Sequence, residues 1–337
     1  MRWPLFLLFA IMIAPPASAR DLGVPADKGW QHAATGLILM PVIDGLKRTA
    51  LIDSGDAELD VAAQYGPDEE VTIYLFHPGL PDTALWFDRV ETVIRERPVY
   101  GGVSPLTPEP IAFKRPGSAV MDSLKRAYAA QHGPLISTAA AMMPLGEWLV
   151  AIRVSSKTED PATLSARLDR IIAGIRFPAT APANWPVAQM RDCATHLTFA
   201  RAKIVKPDGS QVLLGALAGM VAKDVAKDTQ ETPKAPEPFC RDRPGSTSFG
   251  VYRHDNTTPE YWVALNDAGQ AAFVSGGFSA LLGKGGFQVT LLTFSGTDVY
   301  PNFNKLPEPE QVIAMVGGAP LSRTRGQNVT FGPKALK

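Results

Sequence analysis

The segment from Asp160 to Ile175 constrains the fold of this chain more than any other. Asp160 can cap a helix N-terminus, and Pro161 suits the first helical position. The aliphatic side chains then recur at spacings of 4, 3, 1 and 3, which places all of them on one helical face: Leu164, Leu168, Ile171, Ile172 and Ile175. Burying this stripe is worth about 7–15 kcal/mol before entropy is subtracted, so the helix has to pack on a sheet or another helix.

The residues before this helix have the periodicity of strands and of one further helix. Residues 59–65 alternate like a half-buried strand, and 71–76 is β-favouring on both faces, as in a central strand. A helix over 81–98 is predicted from the stripe Trp86, Phe87, Val90, Val93 and Ile94, and Pro98 ends it. Further strands are predicted at 124–130, 135–143 and 147–154, the last two joined by a hairpin at "PLGE". Residues 20–178 are therefore predicted to form an α+β sandwich, a mainly antiparallel sheet covered by two helices.

This order of elements resembles a known family. Strand pairs, a helix, a central hairpin containing "GEWLVAIRVSS" and a terminal amphipathic helix, over residues 36–177, are similar to the PsbP-type α/β/α fold of small exported bacterial proteins. The resemblance rests on element order and includes no diagnostic motif, so it implies no catalytic residues. It implies a binding or assembly accessory, because most members of that fold have such roles.

A second domain is predicted to follow a proline-rich linker at 179–186. Residues 187–337 are predicted to be a β-rich α+β unit. A polar, proline-bearing loop at 223–238 interrupts it. A short helix at 307–318 is expected to end at glycine. Strand-like runs lie at 195–205, 248–253, 261–265, 271–275 and 287–294.

The N-terminus has the three parts of a signal peptide. Arg2 supplies the positive charge, the apolar run extends from Leu5 to Ile13, and Ala17-Ser18-Ala19 fits a cleavage site. Residues 1–19 are therefore predicted to be removed, which leaves a soluble periplasmic or secreted protein. The apolar run is shorter than the roughly 20 residues that span a bilayer, so no membrane span is expected after cleavage.

Composition excludes some partners. Lys and Arg together equal Asp and Glu at 33 each, without basic clusters, so nucleic acid is not an expected partner. The two cysteines, Cys193 and Cys240, are predicted to form one disulfide, because an exported compartment is oxidising. The alternative is a reactive thiol near Arg191 and Arg241.

The tripeptide Asp53-Ser54-Gly55 behind Leu51 and Ile52 is typical of an aspartic peptidase. That chemistry needs two carboxylates sharing a proton, but the motif occurs once and Asp56 follows it. Asp, Ser and Gly between two strand-like runs favour a turn. Asp53 is therefore predicted to be a surface turn residue.

No cofactor or metal is predicted. The glycine cluster at 276–286 has the wrong spacing for a phosphate-binding loop. The histidines show no metal-site spacing, and they are His32, His77, His132, His196 and His254. Residues 250–269 combine aromatic and charged side chains around a turn, which is typical of a recognition surface or of a core-packing hairpin. Its candidate ligand-binding residues are Tyr252, Arg253, His254 and Trp262.

Two hypotheses of function follow. The favoured one is a non-catalytic binding or envelope-accessory protein whose partner is a small molecule, a glycan or an envelope protein. The alternative is a hydrolase with a spatially assembled site, for which Asp53 is the aspartic-peptidase-like candidate.

Overall fold

The computed structural model describes residues 19–67, 70–179, 184–206, 235–256, 258–276, 286–326 and 328–332. Four sequence-based predictions fall wholly or mainly outside these ranges. They are the signal peptide, the middle of the predicted linker, most of the polar loop at 223–238 and the glycine cluster at 276–286.

The N-terminal half contains a ten-stranded sheet in which every described strand pair is antiparallel. Its strands follow the order β1-β5-β6-β7-β12-β11-β10-β8, with β4 on β5 and β9 on β10, while β2 and β3 form a separate pair. The bounds are β1 (Arg20–Asp21), β2 (Trp30–Gln31), β3 (Ile38–Leu39), β4 (Val42–Ile43), β5 (Leu46–Asp53), β6 (Asp60–Tyr65), β7 (Val71–Phe76), β8 (Val103–Pro105), β9 (Ile111–Phe113), β10 (Ser123–Ala130), β11 (Ser137–Leu145) and β12 (Trp148–Ser156).

Two helices cover opposite faces of this sheet. Helix α1 (Thr83–Glu96) contacts β10 and β11 on one face, and helix α2 (Pro161–Gly174) contacts β10, β11 and β12 on the other. Successive residues of β11 divide between the two cores, since Ala141 packs with α2 and Met142 with α1. All nine residues of β11 are buried, which explains its continuous apolar sequence.

Helix α2 confirms the pattern from which its position was predicted. The Asp160 carboxylate accepts hydrogen bonds from the backbone amides of Ala162 and Thr163 at 2.9 and 3.1 Å. The whole predicted stripe is at most 5% exposed and packs on the sheet; its members are Leu164, Leu168, Ile171, Ile172 and Ile175.

The C-terminal half forms an eight-stranded antiparallel sheet in which each strand pairs with the next along the chain. The third described helix of the chain, α3 (Pro309–Val316), packs Val312 into the core on one face of this sheet. The predicted strand at 195–205 is wrong: that segment forms only an isolated bridge between Ile204 and Phe303. The bounds are β13 (Phe239–Arg243), β14 (Phe249–His254), β15 (Tyr261–Leu265), β16 (Gln270–Ser275), β17 (Phe287–Thr293), β18 (Gly296–Phe303), β19 (Ser322–Arg325) and β20 (Asn328–Phe331).

The two sheets meet across α1. Tyr252 from β14 and Ala264 from β15 belong to the same buried cluster as Trp86 of α1. The charged side of α1 is buried here: Asp88 and Arg89 are 2% and 0% exposed. The sequence pattern predicts only the apolar stripe of α1, and the second sheet covers its polar side as well.

The architecture is sheet-rich and antiparallel, with three α-helices in the described residues, and is consistent with the α+β class. Among these residues, no helix combines the length and the hydrophobicity needed to cross a membrane.

Candidate ligand-binding site

The structure separates the four predicted ligand-binding residues into two groups. Tyr252 is 1% exposed and donates its hydroxyl to Asp88 Oδ2 at 2.6 Å. Arg253 is 2% exposed and donates to Asp242 Oδ1 at 3.1 Å and to the Thr195 carbonyl. Both side chains therefore bind protein groups in the interior, and neither offers a free polar atom to a ligand at the surface.

The other two predicted residues belong to a row of aromatic rings on the face of the second sheet that is turned towards α1. His254 stacks on Phe239 with ring centroids 4.3 Å apart, and Trp262 stacks on Phe273 at the same distance. Phe239 and Trp262 are in edge contact at 6.3 Å. All four rings are half-buried, so ligand binding at His254 and Trp262 stays a prediction.

Asp53 is not the surface residue that its turn-like sequence predicts. It ends β5 with 1% exposure, and its carboxylate accepts two hydrogen bonds from Arg20 at 2.9 and 3.1 Å. The backbone amides of Gly55 and Glu58 donate to the same carboxylate at 3.0 and 3.1 Å. The turn therefore lies beyond Asp53, which anchors it from inside. In the described residues no second carboxylate is hydrogen-bonded to Asp53, so the peptidase-like alternative gains no support.

The predicted disulfide between Cys193 and Cys240 is confirmed. Cys193 follows a short parallel bridge between Asp192 and Arg241, and Cys240 lies on β13. The bond therefore fastens the segment that precedes the second sheet to the first strand of that sheet. An intramolecular disulfide of this kind fits an extracytoplasmic protein.

Two of the described histidines, His32 and His77, contact the same Trp148 ring. His32 is buried between Trp30 and Trp148, and this burial lowers its pKa. In the described ranges no group of three or more His, Cys, Asp or Glu side chains is arranged to hold a metal ion.

A concave surface lies on the α1 side of the first sheet, between α1 and the strands β6, β7 and β12. Two cavities of about 440 and 360 Å³ adjoin there, and Arg97 and Arg153 line both. These volumes are within the range of small-molecule sites. We call the two cavities together the sheet groove.

The floor and wall of the sheet groove come from two regular patterns. On the sheet, Tyr74 and Phe76 of β7 alternate with residues of the opposite core, and Ala151 and Arg153 do the same on β12. On α1, Val90, Val93 and Arg97 follow one another at helical spacing along its open side. The smaller cavity therefore has an apolar floor and, where it meets the larger cavity, a cationic end formed by Arg97 and Arg153.

The cationic end also contains hydroxyl groups. The Ser155 hydroxyl lies 3.2 Å from the Tyr100 hydroxyl and 3.0 Å from that of Thr138. Thr138 is fully buried and lies within donating distance, 3.1 Å, of the Val154 carbonyl. If Thr138 donates inward to that carbonyl, the Tyr100 proton can go to Ser155, which leaves the Ser155 proton free to point into the sheet groove.

Within the described residues, no acid neutralises Arg97 or Arg153 by an ion pair. Arg153 donates from Nη2 to the Tyr74 hydroxyl at 3.0 Å and lies over its ring. Neither arginine forms an ion pair with an acid of the described residues. By contrast, Glu70 at the same end is already bound to Arg167.

The opposite end of the sheet groove is acidic. Asp60, at the start of β6, and Asp267, in the turn between β15 and β16, both line the smaller cavity. Burial raises the pKa of Asp60 to about 6, and the nearby charges of Asp53 and Asp267 add to this effect. Within the described chain, no Lys, Arg or His forms an ion pair with Asp60 or Asp267.

The turn that carries Asp267 is fixed against the first sheet. Asn266 and Gly269 have positive φ angles of 49° and 73°, which these residue types tolerate best. A Cβ at Gly269 would lie 2.9 Å from the Phe76 ring, so only glycine allows this close approach. Arg89 Nε donates to the Asn266 carbonyl at 2.6 Å. The acidic end is therefore assembled from both sheets.

A further cavity of about 440 Å³ lies beside α1, next to the 189–192 segment. Its charged side chains largely bind one another: Arg241 pairs with Asp88 and Asp192, and Arg126 pairs with Glu91. Because these charges are already satisfied, this cavity is a weaker candidate for binding a charged ligand than the sheet groove.

Comparison of the chain with models of protein families, with curated proteins and with solved structures finds no match. The resemblance to the PsbP-type fold therefore stays a prediction, and the chemistry of the sheet groove is the main guide to function.

Proposed function

We propose that this protein is an extracytoplasmic, non-catalytic binding protein that holds a small ligand in the sheet groove through an anionic group on that ligand. The observation that carries the proposal is the pair Arg97 and Arg153. Both line the two adjoining cavities, and no carboxylate of the described residues pairs with either. Arginine donors in a fixed geometry are well suited to carboxylate and phosphate groups.

The surroundings of these arginines support an anion more than a neutral ligand. Ser155 adds a hydroxyl donor at the same end, and the buried Tyr100 hydroxyl holds it in place. The Tyr74 hydroxyl accepts a hydrogen bond from Arg153 Nη2, which limits the positions that the guanidinium can take. An ordered donor set of this kind reduces the entropic cost of binding.

The proposed location rests on the disulfide and on the predicted signal peptide. A bond between Cys193 and Cys240 would persist in a periplasmic or secreted protein. A small molecule is favoured over a glycan or an envelope protein as partner, because cavities of this size enclose small ligands.

The test is isothermal titration calorimetry of the purified mature chain with acetate, succinate, phosphate and sulfate. We expect at least one of these anions to bind, and Arg153→Gln or Arg97→Gln to weaken it by tenfold or more, since a charge-assisted hydrogen bond is worth about 1.5–3 kcal/mol. Arg176→Gln is the matched control, because Arg176 is exposed and lies outside the sheet groove.

Thermal unfolding of each variant separates lost binding from lost folding. Binding that is equally strong in the parent protein and in both groove variants would contradict the proposal, as would the absence of binding to any anion of the panel. Turnover of a peptide or ester substrate by the purified protein would contradict its non-catalytic part.

A further inference from the structure

The smaller cavity of the sheet groove has charges of opposite sign at its two ends, and none of them forms an ion pair within the described residues. Arg97 and Arg153 stand at one end of the smaller cavity, and Asp60 and Asp267 also line it. An anion alone would use only the first pair. The apolar surface between them consists of Tyr74, Phe76, Val90, Val93 and Ala151.

The strand register gives the separation of the two ends. Asp60 pairs with Phe76 in one row across the sheet, and Thr72 pairs with Arg153 in another. The row that contains Tyr74 lies between them, so the two outer rows are four residues, or about 13 Å, apart along the strands. Asp60 and Arg153 also lie on the two strands that flank β7, about 10 Å apart across the sheet, so their backbones are roughly 16 Å apart. Arg153 reaches back to the Tyr74 hydroxyl of the intermediate row, which brings the opposite charges to roughly 10–13 Å.

This separation and polarity fit one class of ligand. We propose that the sheet groove binds a short linear peptide with free termini, its carboxylate at Arg97 and Arg153 and its ammonium group at Asp60 and Asp267. An extended peptide of three or four residues spans roughly 10–14 Å, which matches the two ends. This inference rests on the proposed function and specifies its ligand.

The acidic end argues against an anionic amphiphile such as a fatty acid. With its carboxylate at the arginines, such a molecule would place its hydrocarbon tail against Asp60 and Asp267. Burying those carboxylates without a cation is costly, whereas an ammonium group pairs with them. The apolar middle, with Val90, Val93 and Ala151, favours small aliphatic side chains on the peptide.

The probe is trialanine, titrated into the mature chain at pH 7.5 beside N-acetyl-trialanine, trialanine amide and decanoate. We expect trialanine to bind at least tenfold more tightly than each of the other three. In Asp60→Asn the advantage of trialanine over its N-acetyl form should fall to about twofold or less, and Arg153→Gln should instead remove its advantage over the amide.

The outcomes distinguish this inference from the proposed function. Equal binding of trialanine and N-acetyl-trialanine to the parent protein overturns the peptide proposal. Tighter binding of decanoate than of trialanine overturns it as well. In both cases a loss in Arg153→Gln leaves the anion proposal standing. If trialanine fails to bind while acetate or phosphate binds, the peptide is again overturned. If none of the anions or peptides binds, both proposals are wrong.

Discussion

The raised pKa of Asp60 makes a quantitative prediction about stability. Its carboxyl titrates near pH 6 in the folded chain, against a reference value of 3.8, because it is partly buried and faces Asp53 and Asp267. A shift of about two units corresponds to about 3 kcal/mol, and partial exposure reduces the expected effect to about 1–3 kcal/mol. Asp60→Asn, which cannot ionise, should therefore stabilise the fold at neutral pH.

The sign follows from proton binding. Between about pH 4 and pH 6 the folded chain holds the Asp60 proton more tightly than the unfolded chain does, so the parent protein loses stability as the pH rises through 6. Two neighbouring ion pairs can also titrate: Arg20 with Asp53, and His77 with Glu147 at 3.7 Å. Both pairs are present in parent and variant, so their contributions cancel in the stability difference. The advantage of Asp60→Asn should be small at pH 4 and reach its full value by pH 7.5.

The assay is urea denaturation of parent and variant at pH 4, 5, 6 and 7.5, with the stability difference plotted against pH. Asp27→Asn is the control, because Asp27 is 74% exposed in a turn and should give a flat line near zero. A flat difference for Asp60→Asn, or a variant less stable than the parent at pH 7.5, would refute the electrostatic reasoning about this end of the sheet groove.

Three further substitutions test the framework around the site. Arg89→Gln should cost at least 3 kcal/mol in urea denaturation, since three carbonyls of the second sheet would lose their buried guanidinium donor; a loss below 1 kcal/mol would contradict this. Replacing Cys193 and Cys240 together by Ser should cost about 4 kcal/mol from a loop of 47 residues, and an unchanged unfolding midpoint would count against the disulfide's role. Ile171→Ala should cost about 2–5 kcal/mol, and a loss near 0.5 kcal/mol would show that its stripe is not core.

The parts of the fold that follow from local periodicity were predictable. Helix α2 has a cap, a proline and an aliphatic stripe that all indicate one placement, and the structure confirms each of them. The strands β7, β11 and β12 carry apolar runs because both of their faces are covered. The prediction of a strand at 195–205 was wrong because a strand-like sequence does not identify a partner strand. The segment pairs with the second sheet only through the isolated bridge between Ile204 and Phe303.

Burial of charged residues was not predictable from the same patterns. Asp53 has the sequence context of a turn, but Arg20, 33 residues away, supplies a cation that permits its burial. The polar side of α1 resembles a solvated face, but Tyr252 and Arg241 of the second sheet bind Asp88 there. In both cases the partner that permits burial lies far from the acid in sequence.

The sheet groove shows the same limit. Arg97 at the end of α1 and Arg153 on β12 come together only through the register of the sheet and the direction of α1. Asp60 and Asp267 belong to different sheets. One signal was present in the sequence. Val90 and Val93 lie on one side of α1, and Arg97, which follows the helix at the same spacing, places a charged side chain at the end of that apolar side.

The contrast between paired and unpaired charges is what distinguishes the sheet groove from ordinary surface. Elsewhere the described chain pairs buried acids with arginines, as in Asp53 with Arg20 and Glu91 with Arg126. In the sheet groove two arginines and two carboxylates line one cavity without pairing across it. The carboxylate of Asp60 is destabilised by burial and, to a smaller extent, by the charges of Asp53 and Asp267. A fold that needed only stability would place these charges in contact or replace them. The peptide proposed above would place an opposite charge at each end of the apolar floor, and this pairing would offset the cost of holding the charges apart.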